Sequence, residues 1–395
     1  MFTRCYADNY RCFSSFELPL EPLSVLLGPN GSGKSTVLSL FSKLRDFILG
    51  RGTSLDLFPP DSLTRWDQRS EQTFELSFRH DFGTYLYRLR ITHRPEQALN
   101  KVVEESLTLD GKPLFASDDQ QTQLYNDKGL GPQLMPDWHI SGISRIYERH
   151  DNKKLWAFRR LIEGTLILAI NPALVTAVSA EKHPVTIPKP DCSDFAGWLR
   201  HITTSEALAR QEAEQSLGKG ELPGFRLFQV DPSGDAQILQ CIFQSGATKK
   251  KFRLDELSFG QIALIILETA LAVVNERHGV LLLDEPSNFL GLSEIQPLLT
   301  RLQDAALENH FQVILTAHHP IAVNLLAASY GLWLEREPIG PTRIQRIHVD
   351  EAVSEGKAGI HVSELIARGW LSGIGVNQSA TPSEIIREYV KDSPV

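Results

Sequence analysis

LLGPNGSGKST, residues 26–36, is the stretch from which the fold is read. Gly28, Gly33, Lys34 and Ser35 meet the spacing G-x-x-x-x-G-K-[ST], in which glycines let the backbone close around phosphates and a lysine reaches their outer oxygens. The flanks agree. LSVLLG upstream is a short apolar run suited to a buried strand, and STVLSLFSKLRDFIL downstream places Val37, Leu40, Phe41, Leu44 and Ile48 at helical spacing. A strand, a glycine loop and a helix in this order turn the backbone N–H groups of the loop and first helical turn, Asn30, Gly31, Ser32, Gly33, Lys34, Ser35 and Thr36, toward a phosphate. The helix dipole favours the phosphate charge. Lys34 is the expected partner of the β- and γ-phosphates of ATP, and Ser35 the expected ligand of Mg2+.

The chain has 395 residues, 42% hydrophobic and 22% charged, enough for a sizeable core. Its longest apolar stretches, such as IALIILETALAVV, carry a glutamate and fall short of the roughly twenty residues that cross a bilayer. MFTRCYADNYRCF at the N-terminus has no signal-peptide core, so a cytoplasmic protein without a membrane partner is expected. Cys5, Cys12, Cys192 and Cys241 form no C-x-x-C pair, and buried free thiols are expected. A net charge of −8 argues against a wholly basic nucleic-acid binder. Two local runs remain candidates: Arg145, Arg149, Lys153, Lys154, Arg159 and Arg160, interrupted only by Glu148 and Asp151, and KKKFR at 249–253. A charged run is usually a solvated face, and that plain reading stands beside the DNA contact.

TFELSFRH and TYLYRLRITHR alternate apolar and polar residues as half-buried antiparallel strands do, and VVEESLTLDGKPLF adds a hairpin turning at Asp110-Gly111. Residues 118–135 are polar and carry Gly and Pro, which predicts a loop and a boundary. Residues 145–168 and 194–216 read as helical, the second run ending at LGKGELPG. Strand patterns resume at GFRLFQV. ELSFGQIALIILETALAVV then predicts a long apolar helix with Ser258 at its N-cap, and GVLLLDEPSNFL and FQVILTAHHP predict buried strands on either side of the amphipathic helix LSEIQPLLTRLQDAALEN. A hairpin about Gly340-Pro341 and a capping-box helix at Thr381, Pro382 and Glu384 close the chain.

Asp284 follows three leucines, and a carboxylate ending a buried strand suits Mg2+ held beside a nucleotide. Glu285 next to it suits the orientation or deprotonation of an attacking water. With these residues in hand, the chain resembles the ATP-binding cassette superfamily: LSFGQ at 257–261 is similar to its signature, LLLDEP to its Walker B segment, SNFL to its D-loop and TAHHP to its switch-histidine segment. The opening DNYRCFSSFELPLEPLSVLLGPNGSGKSTVL is similar to the RecF, SMC and OLD-like branch, as are the roughly 220 residues between loop and signature. Phe259 stands where many members have glycine, which leaves Ser258 and Gly260, with Gln261, for γ-phosphate contact. The Q-loop glutamine is not placed; Gln120, Gln121, Gln123 and Gln133 are candidates. No long coiled-coil insertion is present.

The resemblance implies an α/β P-loop ATPase head with a mixed, mainly parallel sheet, an antiparallel β lobe and a helical insertion. It implies ATP hydrolysis with Glu285, His318 and Lys34 as catalytic residues, Ser35 and Asp284 as metal ligands, and a homodimer with each ATP between one chain's loop and the other's signature. His318 rather than His319 matches the switch position. The head is expected over 1–117 and 226–350, a mainly helical lobe over 118–225 and a helical segment over 351–395. The implied role is a switch in DNA repair or anti-phage defence. About 75 residues follow His319 and show no acidic nuclease cluster, so a nuclease or toxin effector in trans is expected. A transporter cassette and a non-hydrolysing ATP sensor are the alternatives; the long loop-to-signature gap disfavours the first and intact Lys34, Asp284 and Glu285 the second. HVSELIARGWLSG, 361–373, offers Leu365, Ile366, Trp370 and Leu371 as core or partner-binding residues.

Overall fold

A computed structural model describes residues 1–127, 129–308, 311–347 and 361–367. With strands and helices numbered along the chain, its central sheet is six-stranded. β10 (Thr165–Leu168), β15 (Val280–Leu283), β16 (Gln312–Thr316), β3 (Leu23–Leu27), β17 (Gly331–Arg336) and β18 (Thr342–Arg346) follow one another in that order. All neighbours are parallel except the β17–β18 hairpin, which turns around Gly340 and Pro341. Parallel strands covered on both faces read as unbroken apolar runs, as VLLL and QVILT do.

Alternation along each strand feeds two cores. Val25, Leu281, Leu283, Val313 and Leu315 face α4 (Phe195–Ser205), α5 (Ala207–Ser216), α6 (Phe259–Arg277), α7 (Leu292–Leu307) and α8 (Pro320–Tyr330). Leu26, Val280, Leu282 and Ile314 face the other way, onto α1 (Lys34–Ile48) and α3 (Lys153–Glu163). On that side lies an eight-stranded antiparallel sheet ordered β2 (Phe16–Pro19), β1 (Phe2–Asp8), β4 (Glu71–His80), β5 (Gly83–Arg94), β6 (Leu99–Leu109), β7 (Lys112–Asp118), β8 (Thr122–Asn126) and β9 (Gly129–Leu134). Gln312 clasps the two sheets: its Nε2 donates to Phe2 O and Glu21 O, and its Oε1 accepts from Phe2 N. A third sheet of β11 (Val178–Ser179), β13 (Ala236–Ser245), β12 (Phe225–Ser233) and β14 (Thr248–Arg253) flanks the first core. The short α2 (Ser54–Leu57) follows α1, and α9 (Val362–Ala367) packs Val362 and Leu365 into the first core.

Helix α6 has 19 residues, long and apolar enough by length and composition to cross a membrane, yet 67% of its most apolar window is buried in the protein. All four cysteines are free and buried.

The structure corrects three expectations. Thr122–Asn126 and Gly129–Leu134 are strands β8 and β9 rather than a loop: largely solvent-accessible on both faces, an edge pair carries no apolar–polar alternation to betray it. Helix in 145–168 is confined to α3, because TLIL is strand β10; a four-residue apolar run cannot be told from buried helix by periodicity. The lobe expected over 118–225 is therefore not one helical unit, since its first strands extend the antiparallel sheet and β10 joins the central one. The helix at 381–384, Trp370 and Leu371 lie outside the described residues.

Candidate functional site

The phosphate loop curls because three of its glycines take left-handed backbone angles: Gly28 at φ 142°, Gly31 at φ 80° and Gly33 at φ 108°. Gly28 has no alternative, since a Cβ there would sit 2.0 Å from Leu334 O. At Gly33 a Cβ would meet Thr342 Oγ1, Cys12 and Phe13 at 3.0–3.1 Å. Lys34, 7% exposed, folds back so that Nζ donates to Gly28 O at 2.8 Å and Pro29 O at 3.1 Å. Burial lowers its pKa, while Glu285 and Asp284 oppose that shift. Ser32 is buried with a hydroxyl that makes no hydrogen bond among the described residues, a donor awaiting an acceptor within the loop.

Strands β15 and β16 bring the acids and the histidine to the loop. Thr316, at the end of β16, donates from Oγ1 to Asp284 Oδ1 at 2.6 Å and accepts from Glu285 N at 2.9 Å, so one hydroxyl sets the positions of both acids. Asp284 N donates to Leu168 O, tying the site to β10. Glu285 adopts φ 51°. Its Oε2 accepts from His318 N at 3.0 Å, and its Oε1 lies 3.5 Å from His318 Nε2 without a hydrogen bond. Burial raises the Glu285 pKa above the ordinary carboxylate value and the Asp284 charge adds to this; the His318 N–H and Lys34 act against it. The His318 pKa is lowered by burial and by Lys34, with Asp284 opposing. His319 is occupied structurally, capping α8 with its Nδ1, which accepts from Ile321 N.

Asn30, Gly31, Gly33, Lys34, Ser35, Thr36, Asp284, Glu285 and His318 line one cavity of about 730 Å³, a size that suits a nucleotide. The far wall was not visible as a motif: Arg11 from the β1–β2 turn, Asp61, Arg65 and Trp66 from the segment after α2, and Arg336 from β17. The Arg336 guanidinium lies 5.1 Å over the Trp66 ring. Cations outnumber acids in this wall, as a triphosphate requires.

Two groups of expected residues are not brought to this cavity. Ser258 caps α6, its Oγ accepting from Gln261 N at 3.3 Å while its N–H donates to Gln261 Oε1 at 3.0 Å; neither they nor Gly260 line it. Instead the signature lies beside the D-loop: Phe259 and Phe289, both about half exposed, meet edge to face, and a Cβ on Gly260 would approach Phe289 O at 2.9 Å. Gln120, Gln121, Gln123 and Gln133 belong to the β7–β9 edge and do not line it either; Gln133 donates to Gln121, and Gln123 to backbone carbonyls.

Ser35 and Asp284 present a hydroxyl and a carboxylate, the hard oxygen donors that Mg2+ prefers, on one cavity, whereas Ser32 is buried beneath the loop and does not line it. Among the described residues there is no group of three or more His, Cys, Asp or Glu side chains that could hold a metal by themselves.

The fold is that of a P-loop NTPase head of the SMC kind. The chain belongs to the family described as "AAA domain, putative AbiEii toxin, Type IV TA system", whose model matches residues 60–324. Two solved SMC heads share the fold: one bound to the C-winged helix domain of ScpA, at 12% identity and TM-score 0.52 over 89% of this chain and 98% of that one, the other with an extended coiled coil, bound to the C-terminal domain of ScpA derived from Pyrococcus furiosus, at 10% identity and TM-score 0.53 over 90% and 98%. An OLD nuclease of Thermus scotoductus is 42% identical over 50 residues, 13% of this chain and 9% of the nuclease. The match thus spans under a tenth of that relative's length.

Proposed function

We propose that the protein hydrolyses ATP at the phosphate-loop cavity and that two copies close around the nucleotide to switch a repair or anti-phage complex. The observation that carries this reading is that one cavity gathers Lys34, Asp284, Glu285 and His318 while Ser258, the cap of a 19-residue helix, stands outside it. In the proposal ATP releases Lys34 from the Gly28 and Pro29 carbonyls, exchanging neutral acceptors for phosphate oxygens, which bind a lysine more strongly. Ser35 and Asp284 would hold Mg2+, which would supply charge neutralisation to the phosphates. Glu285 takes the proton of the attacking water, and the carboxylate is held in place by the His318 N–H. His318 offers its ring to the γ-phosphate.

The Ser258 end of α6, with Gly260 and Gln261, then contributes N–H groups and a helix dipole to the γ-phosphate held by a partner copy. ATP before hydrolysis would join two chains; after hydrolysis the contact weakens. The proposed switch acts on an effector nuclease or toxin supplied in trans; the family description names a toxin and the partly matching relative is a nuclease. Of the basic run proposed for DNA, Arg145 pairs with Asp137, Arg160 with Glu148, and Arg159 with Glu163, which leaves Arg149, Lys153 and Lys154 as the contacts. The test is ATP turnover by the purified protein with and without single-stranded and duplex DNA, alongside its mass by light scattering with and without nucleotide. No turnover under any of these conditions would end the hydrolytic reading.

A further inference from the structure

Helix α1 begins at the phosphate loop and, some 22 Å away at 1.5 Å per residue over its 15 residues, ends at a second cavity. This cavity, about 570 Å³, shares no lining residue with the first. Arg51, Arg159, Arg160 and Arg277 line it, with Leu49 and Ile187 as an apolar wall.

The four arginines are not equivalent. Arg159 is spent on Glu163 and on the carbonyls of Ile143, Ser144 and Ile146, so it is a structural brace. Arg160 pairs with Glu148. Arg51 and Arg277 are held side by side by a single residue: Arg51 Nη2 donates to Thr186 Oγ1 at 3.0 Å and Arg277 Nη2 to Thr186 O at 3.4 Å. Arg277 also pairs with Glu206, whereas Arg51 has no ion pair among the described residues. Partial desolvation in the cavity, with the charges of Arg45 and Arg277, lowers the Arg51 pKa, while Asp46 and Glu163, the latter also lining the cavity, oppose the shift.

Holding two guanidiniums together costs electrostatic energy, and an anion between them recovers it. Planar guanidinium donors match the oxygens of a phosphate in pairs, the cavity volume suits a ligand of mononucleotide size, and Leu49 and Ile187 accommodate an apolar portion. We propose that this cavity is a second anion site, taking a small ligand that carries at least two phosphate charges between Arg51 and Arg277. The site stands apart from the ATPase reading and does not require it.

Isothermal titration of the full chain with sodium tripolyphosphate, free of Mg2+, tests the proposal. Lys34→Ala, which disables the proposed phosphate loop, is expected to retain one tripolyphosphate site. Adding Arg51→Glu should weaken that site roughly tenfold or more, as expected for loss of charged hydrogen bonds, and Arg51→Gln should weaken it less. Circular dichroism of both variants should match the parent, because the Arg51 side chain reaches solvent at the cavity mouth and its hydrogen bond is to Thr186 Oγ1. Parallel arms use AMP and a labelled single-stranded 12-mer. No tripolyphosphate binding to Lys34→Ala, binding indifferent to both Arg51 variants, or binding of the 12-mer alone would each overturn the proposal. The readings fail separately: ATP affinity unchanged by Lys34→Ala would count against the phosphate loop, and tripolyphosphate binding unchanged by Arg51→Glu against the second site.

Discussion

His318 and Glu285 meet at two points: the His318 backbone N–H donates to Glu285 Oε2 at 3.0 Å, and the His318 ring Nε2 stands 3.5 Å from Oε1. The backbone contact survives any change of side chain at 318, whereas the ring contact does not. The acid's position and the histidine's chemistry are thereby separable by mutation.

Glu285→Gln keeps shape but removes the proposed base, so ATP turnover is expected to fall by at least about a hundredfold with ATP binding retained. The trapped nucleotide should raise the mass seen by light scattering to that of two chains, and adding Ser258→Arg should restore one. A Glu285→Gln protein that stays monomeric with Mg-ATP would rule out the two-chain closure.

Lys34→Ala is expected to abolish ATP binding without unfolding the protein, since Nζ bonds only to loop carbonyls. Fluorescent-nucleotide titration and thermal melting check the two halves of this statement. Turnover at the parent rate in this variant would remove the loop from the mechanism.

The acid limb of turnover should lie above the ordinary carboxylate range. Glu285 acts ionised, its pKa is raised by burial and by Asp284, and activity is therefore lost as pH falls through that raised value. His318→Gln leaves the backbone N–H in place and should leave the limb where it is, although the rate drops. A kcat profile with its limb at or below the value of a free glutamate would contradict the raised pKa.

Gly28→Ala should be far more damaging than Gly31→Ala. The first places a methyl group 2.0 Å from Leu334 O and forces β3 away from β17; the second meets nothing within 4 Å and carries only left-handed strain of about 1–2 kcal/mol. Urea unfolding of the two variants would show this, and equal losses would deny it.

Glu268, 2% exposed, accepts from Arg301 Nη1 at 2.9 Å and from Ser216 Oγ at 2.6 Å, joining α5, α6 and α7. Arg301→Met leaves that buried carboxylate without its cation and should cost about 3 kcal/mol, the low end for a buried pair because Arg301 is about a third exposed. A loss below about 1 kcal/mol in denaturant titration would show that water compensates the acid.

Local rules made much of this legible. The glycine loop, the Ser258 cap with Gln261 three residues on, and the apolar strands before Asp284 and His318 each obey short-range physics that a sequence displays openly. What escaped reading was built by neighbours. Strands β8 and β9 exist because β7 offers them an edge, β10 because β15 pairs with it, and the wall of Arg11, Asp61, Arg65, Trp66 and Arg336 because three separate segments converge. No spacing rule links Trp66 to Arg336.

The place of β16 between β15 and β3 bears on how the protein comes to be made. Leu23 pairs with Val313, 290 residues later, so the loop and the acids share a cavity only after that distant strand has entered the sheet. A growing chain that has reached Glu285 but not Thr316 holds β3 and β15 with a gap between them, both strands apolar and unpaired on that side. Contacts this remote in sequence form slowly, and such open edges invite association with other chains. Nucleotide affinity would then be acquired in one late step, making ATP binding a readout of completed synthesis.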